Sequence, residues 1–374
     1  MTPDGTLRGT FRRSAIVHDW LTIPGGSEKV VFELLELLPD AQLFTSVYDP
    51  ERWPALRGRE VQTSFLDRVP GAKTHYPKLL PLMNLAFESF DLSGFDLVVS
   101  SSHSCAKNVL TGSDTLHVCY CHTPMRHAWE PRHLSGELNA ATSLAARMML
   151  GRLRRDDLAG ASRPDVFVAN SNHVAARIRK HYRRDAVVVH PPVDVERHLY
   201  RPRREDDYYL VLGRVVPYKK VELAVGACAT LGRRVKVVGE GRGLDAARAA
   251  AGPGAEFLGW VDDAEVDRLL SGARALLFPG EEDFGIVPVE AQAAGVPVIA
   301  YGEGGVRDTV IENETGVFHA EQTVTSVASA ILQAESMQFD EHRLRANARR
   351  FAQARFRAEM TDVLLEHAPE AAAR

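Results

Sequence analysis

The sequence predicts an α/β chain made of two doubly wound, Rossmann-like units. Short, continuous apolar runs alternate with amphipathic helical stretches along most of the 374 residues. The alternation breaks at Pro191-Pro192-Val193, crosses a charged linker at 201–207 and restarts at Tyr208. Glycine-rich turns follow several of the runs, where parallel sheets open onto ligands.

In the first unit, residues 14–20 read as a buried strand. Ser27 then reads as the N-cap of a helix with an apolar stripe of Val30, Val31, Leu34, Leu35 and Leu38. Further strands are expected at 41–47, 96–100, 115–121, 165–169 and 186–190. Several are apolar throughout, as strands covered on both faces should be. The second unit offers strands at 208–212, 235–238, 255–258, 274–278, 296–300 and 316–318, with its clearest helices at 221–231 and 264–270. One long helical pattern, 341–366, follows, and the alanine-rich tail is expected to fray. The expected division is a domain over 1–195 and a second over 196–351, with a closing helix at about 352–368.

Composition excludes more than it assigns. Hydrophobic content of 45% and charged content of 25% are ordinary for globular chains. A net charge of -4 gives no reason to expect nucleic acid. Cys119 and Cys121 flank Tyr120 on one face of a strand, and with Cys105 and Cys228 they suggest neither zinc nor a disulfide scaffold. A reducing, cytoplasmic compartment is the expectation. Residues 1–13 have no apolar core of a signal peptide, and no apolar run approaches the roughly 20 residues of a spanning helix.

The most informative motif is Glu282-Asp283-Phe284-Gly285-Ile286-Val287-Pro288-Val289-Glu290. It places Glu282 in the loop after an apolar strand and Glu290 about one turn into the next helix. Carboxylates accept hydrogen bonds from paired sugar or ribose hydroxyls, and free N–H groups at Gly285, Ile286 and Val287 add donors. The plainer reading is a helix-terminus charge beside a solvated glutamate. Gly213-Arg214, with Pro217-Tyr218-Lys219-Lys220, follows the second unit's first strand and offers two cations for a diphosphate, or a solvated basic loop. Gly25-Gly26 lets backbone approach a phosphate or sugar, or is a plain turn. Gly239-Glu240-Gly241-Arg242-Gly243 departs from a dinucleotide fingerprint, because Leu244 stands where its third glycine belongs. Gly302-Glu303-Gly304-Gly305 suits a ligand edge or an ordinary turn. His122, Thr123 and Pro124 end a strand, as do Ser100, Ser101, Ser102 and His103. Trp129 and Glu130 can stack on and bond an acceptor sugar, or belong to the core. Residues 144–155 mix apolar and basic side chains and suit either a packed helix or an anionic membrane surface.

Taken in order, these motifs resemble the retaining glycosyltransferases of family 4 over nearly the whole length. His18-Asp19-Trp20 with Gly25-Gly26-Ser27-Glu28, and Tyr120 through Arg126, look like a bacterial subgroup of O-antigen and exopolysaccharide assembly, many of them mannosyltransferases. The resemblance implies the GT-B fold, two Rossmann-like domains facing a central cleft. The first would be the acceptor side, to which the closing helix returns, and the second the nucleotide-sugar donor side. It implies that Arg214, Lys219 and Gly26 meet the donor diphosphate, with Lys220 the alternative lysine. Glu290 would meet the ribose, and Gly259 and Val261 the nucleobase. Glu282, Phe284, Gly285, Ile286, Val287 and Gly25 would meet the donor sugar. Glu282 and His122 would be catalytic, and Asp19, His103, Arg126 and Trp129 would face the acceptor. The implied reaction moves a hexose, with mannose from GDP-mannose the first choice, onto a glycan or lipid-linked glycan. A UDP- or dTDP-sugar donor is the alternative, and an epimerase or a non-catalytic nucleotide-sugar binder is the reading from another class. No cofactor or metal is expected, because no Asp-x-Asp motif stands at a matching strand end.

Overall fold

The computed structural model describes residues 7, 9–130, 144–199, 202–204 and 206–368. The alanine-rich tail lies outside the described residues. The chain separates into one unit of residues 1–192 with 354–374, and a second of residues 193–353. The fold class is α/β, with a parallel sheet in each unit.

In the first unit the strands are β1 (Ser14–His18), β2 (Gln42–Thr45), β3 (Val61–Thr63), β4 (Leu97–Ser102), β5 (Leu116–Cys121), β6 (Val166–Ala169) and β7 (Val187–Val188). They lie in the order β3-β2-β1-β4-β5-β6-β7. In the second they are β8 (Tyr209–Leu212), β9 (Val235–Val238), β10 (Ala255–Gly259), β11 (Leu276–Phe278), β12 (Val298–Tyr301) and β13 (Gly316–His319), in the order β10-β9-β8-β11-β12-β13. In both sheets the order reverses beside the unit's first strand, opening a crevice between β1 and β4 and another between β8 and β11. Open α/β sheets bind ligands at such switch points.

The helices that frame these crevices are α1 (Gly26–Leu37), α2 (Leu144–Gly160), α3 (Val221–Leu231), α4 (Ile286–Ala293), α5 (Glu341–Arg349) and α6 (Gln353–Glu366). Helix α1 buries Val30, Val31, Leu34 and Leu35 on the first sheet. Each such side chain withdrawn from water stabilises by about 1.5–3 kcal/mol. Phe356, Met360, Val363 and Leu364 of α6 join the same apolar cluster, which is why the end of the chain belongs to the first unit.

Three local expectations change. Strand β3 had not been foreseen, because Val61-Gln62-Thr63 is short and only half-buried at the sheet edge. Gly25, not Ser27, caps α1, and it does so without a side-chain bond. The pattern over 341–366 is two helices, broken at Phe351-Ala352. There the buried Phe351 carbonyl accepts from the Val193 N–H at 2.9 Å.

Candidate active site

In the second unit, the loops after β8 and β11 form a shallow depression lined by Gly213, Arg214, Lys219, Gly280 and Glu282. Lys219 Nζ lies 2.8 Å from Glu282 Oε1, an ion-pair contact without the alignment of a hydrogen bond. Lys220 points elsewhere, with Nζ 3.9 Å from Glu222, so the lysine that lines the crevice is Lys219. Gly280 permits this approach, since a methyl group there would meet the Lys219 Cα at 2.6 Å.

The other glycine turns are spacers between loops. A methyl group at Gly239 would stand 2.0 Å from the Gly213 carbonyl oxygen, and one at Gly241 2.2 Å from that of Val215. One at Gly305 would stand 2.1 Å from the Asp283 carbonyl oxygen. The Gly239 and Gly302 turns therefore hold the Arg214 and Glu282 loops in place by backbone packing. Gly305 N–H also donates to the Glu282 carbonyl at 2.8 Å.

Gly285 adopts φ +91, which only glycine takes without strain, and opens α4. Ile286 and Val287 form the first turn of that helix, whose N–H groups lack intrahelical partners. Phe284 turns its ring away, to within 5.5 Å of Phe351. Glu290 lies on the second turn, half-buried, outside the depression that holds Glu282. Its charge acts on Arg197 and His198. The Gly259 carbonyl accepts from Gly239 N–H at 2.7 Å. Val261 packs half-buried beside it, while Trp260 is 77% exposed.

The first unit gathers a polar cluster at the ends of β1, β4 and β5. His18 lies opposite Ser101 in the β1–β4 register. Its Nδ1 is 3.1 Å from both the Ser101 carbonyl and Oγ, and its Nε2 is 3.4 Å from Glu28 Oε1. Ser101 Oγ is 2.8 Å from His122 Nε2. Burial, followed by His103 and His18, lowers the His122 pKa to about 3, so its ring is neutral near pH 7. Gly25 and Gly26 are exposed at the start of α1. Glu28 folds back toward them, and a methyl group at Gly25 would come within 3.1 Å of its Oε2.

One acceptor-side expectation is corrected. The Asp19 carboxylate has no exposed surface and accepts the backbone N–H groups of His103, Ser104, Cys105 and Ala106 at 2.6–3.0 Å. Burial raises its pKa, but His103, His18 and these N–H groups outweigh that and hold it low. Asp19 therefore builds the turn after β4 and seats His103, whose Nδ1 is 3.0 Å away. Trp129 is half-buried; it donates its indole N–H to the buried Asp157 at 2.7 Å and stacks on His181. Tyr182 and Lys107 also bond Asp157. His103 and Arg126 remain half-buried at the strand ends. Glu28, His18 and Ser101 were not among the expected site residues. Their signal was an acidic residue three places after Gly25, and polar residues ending otherwise apolar strands.

Helix α2 buries Leu150, Leu153 and Asp157 and turns Arg147, Met148, Met149, Arg152 and Arg155 outward. Arg154 is excluded from that outer face because its Nε donates to the Ala128 carbonyl at 2.6 Å. Among the described residues, no helix is long and apolar enough to cross a membrane.

Comparison with known proteins bears on the fold and the family. Residues 24–197 match the model of Glycosyltransferase Family 4, and residues 194–351 that of Glycosyl transferases group 1. The D-inositol 3-phosphate glycosyltransferase of Geodermatophilus obscurus is 34% identical over 200 residues, 45% of this chain and 44% of that protein. The glycogen synthase of Mycobacterium tuberculosis is 33% identical over 142 residues, 35% of this chain and 34% of its own. The matched segment thus spans a third to under a half of these relatives. Anabaena HepE, solved in complex with UDP and glucose, superposes with a TM-score of 0.67 over 94% of this chain and 99% of its own, at 16% identity. Sucrose-phosphate synthase from Thermosynechococcus elongatus gives 0.70 over 95% and 98%, at 19% identity. These likenesses show the shared fold, and with the two family models, which together run from 24 to 351, the chain belongs to the group 1, family 4 glycosyltransferases.

Proposed function

We propose that the protein transfers a hexose, with retention of anomeric configuration, from a nucleotide-sugar to a hydroxyl of a glycan or lipid-linked glycan in polysaccharide assembly. One observation carries the reading: Arg214, Lys219 and Glu282 converge at the β8–β11 switch point. A guanidinium fork and an ammonium suit a diphosphate. In the reaction, the bond from the anomeric carbon to the diphosphate oxygen breaks, and charge builds on that oxygen. Arg214, Lys219 and the N–H groups of Gly285, Ile286 and Val287 stabilise that charge. The acceptor hydroxyl attacks from the same face and gives its proton to the leaving diphosphate. No protein nucleophile and no divalent ion enter this scheme.

Glu282 holds donor-sugar hydroxyls, Glu290 the ribose, and backbone near Gly259 and Val261 the base. In the first unit, the exposed backbone of Gly25 and Gly26 suits a phosphate or sugar, and His122 offers a neutral imidazole. His103 and Arg126 stand on the acceptor side. GDP-mannose is our first choice of donor. In support, an alpha-1,3/1,6-mannosyltransferase of Neurospora crassa is 48% identical over a 61-residue segment. A UDP-sugar is the second reading, because HepE was solved with UDP and with UDP-glucose. We place the enzyme in the cytoplasm, in weak contact with an anionic membrane through Arg147, Arg152 and Arg155 of α2.

Calorimetric titration with GDP, UDP and dTDP, followed by turnover with the matching sugar nucleotides, tests the proposal. Preferential GDP binding and mannose transfer support it. UDP preference selects the second reading, and no binding of any of the three overturns both.

A further inference from the structure

Four side chains at the β1–β4 switch point form a directed hydrogen-bond chain, and the donor reading above gives a role only to its last member. The Ser101 carbonyl can only accept, so the His18 Nδ1 beside it at 3.1 Å must carry a proton. The same N–H is 3.1 Å from Ser101 Oγ, which therefore accepts from His18. Ser101 is wholly buried, and among the described residues its hydroxyl contacts only His18 and His122. Its proton must go to His122 Nε2, 2.8 Å away. The reverse order would leave His18 Nδ1 without a proton, facing a carbonyl lone pair. At the other end, His18 Nε2 faces Glu28 Oε1 at 3.4 Å, and Glu28 is only 4% exposed. The other carboxylate oxygen of Glu28 has no partner among the described residues.

We propose that Glu28, His18 and Ser101 are positioning residues that lock His122 into the tautomer with its proton on Nδ1. A neutral histidine donates from one nitrogen and accepts at the other, and a neighbour's hydrogen bond decides which. With Nε2 taken by the Ser101 hydroxyl, Nδ1–H is the donor left, and among the described residues no side chain or carbonyl takes it. In the transfer reaction, on which this functional half rests, that N–H bonds a hydroxyl of the donor sugar. An unlocked ring would present a lone pair there for part of the time.

Nitrogen-15 histidine spectra of the full-length protein, taken without substrate, read the tautomer directly. The His122 signal is identified by its loss in His122→Asn. Wild-type protein should show His122 protonated on Nδ1, Ser101→Ala should shift it toward the Nε2 form, and Ser101→Thr should restore it. In turnover assays, Ser101→Ala should lower kcat by roughly ten- to a hundredfold, the scale of losing the partner that orients a working imidazole. Affinity for the nucleoside diphosphate alone should not change. A wild-type His122 protonated on Nε2, or a tautomer indifferent to Ser101→Ala, overturns the proposal. The wild-type spectrum decides by itself if the alanine variant fails to fold. Because the spectra need no substrate, a locked tautomer with no turnover on any sugar nucleotide would count against transfer and not against the lock.

Discussion

Arg214 is exposed and Lys219 and Glu282 are half-buried, so single substitutions can separate their roles. Arg214→Ala and Lys219→Ala should each weaken nucleoside diphosphate binding by about 1.5–3 kcal/mol, the scale of one charge-assisted bond. Lys220→Ala should leave it unchanged, since Lys220 turns toward Glu222. Glu282→Ala should abolish transfer yet still bind the free diphosphate, because Glu282 is assigned to the sugar. Calorimetry beside turnover separates these outcomes, and normal turnover of Glu282→Ala would remove that residue from the site. His117 gives a second test at this scale. Burial, then the charge of Arg163, lowers its pKa from 6.5 to about 3. The unfolded chain therefore takes up a proton that the folded one refuses. Stability from this residue is full above pH 6.5 and drains away as pH falls toward 3. At pH 5 the loss should be about 2 kcal/mol. Denaturant melts at pH 7 and pH 5 should show it, and His117→Gln should flatten the difference.

Among the elements, the glycine turns make the sharpest prediction. Gly305 has an ordinary φ, so any cost of substitution there is steric. An added methyl would meet the Asp283 carbonyl oxygen at 2.1 Å and the Phe284 Cα at 2.4 Å. Gly305→Ala should therefore cost about 1–3 kcal/mol by overpacking. It should also weaken donor binding, because the Glu282 loop has to move. Gly151, inside α2, has nothing within 4 Å of an added methyl. Gly151→Ala should instead stabilise by roughly 0.5–1 kcal/mol through helix propensity. Opposite shifts in the thermal midpoint would separate packing from propensity. Equal shifts would mean that the Gly302 turn does not set the position of the Glu282 loop.

At the scale of the whole molecule, both sheets reverse their order beside their first strand, and each crevice carries its own chemistry. The second unit supplies fixed positive charge and a carboxylate, and the first supplies a buried histidine and serine network. With the diphosphate role proposed for Arg214 and Lys219, turnover should survive excess EDTA. Complete loss of activity, restored by magnesium or manganese, would contradict a metal-free mechanism. The comparison with expectation follows the same division. The sheets, the α1 stripe and the Glu282–Glu290 spacing were legible because apolar periodicity and turn residues are local signals. The role of Asp19 was misread, because whether a polar group meets a ligand or a buried neighbour depends on residues far away in sequence.

By itself, the sequence determined the α/β class, the two units, the strand-end positions of Arg214, His122 and Glu282, and the family resemblance. Each follows from periods of two and 3.6 residues and from residue type. Only the tertiary structure decided the rest. It set Lys219 on the wall of the β8–β11 crevice and Lys220 beside Glu222. It made Gly239 and Gly305 spacers, because their faces are filled by other loops. It joined Glu28, His18, Ser101 and His122, because parallel pairing sets β1 beside β4, more than eighty residues away in sequence. Sequence separation hides such contacts, and sheet register creates them.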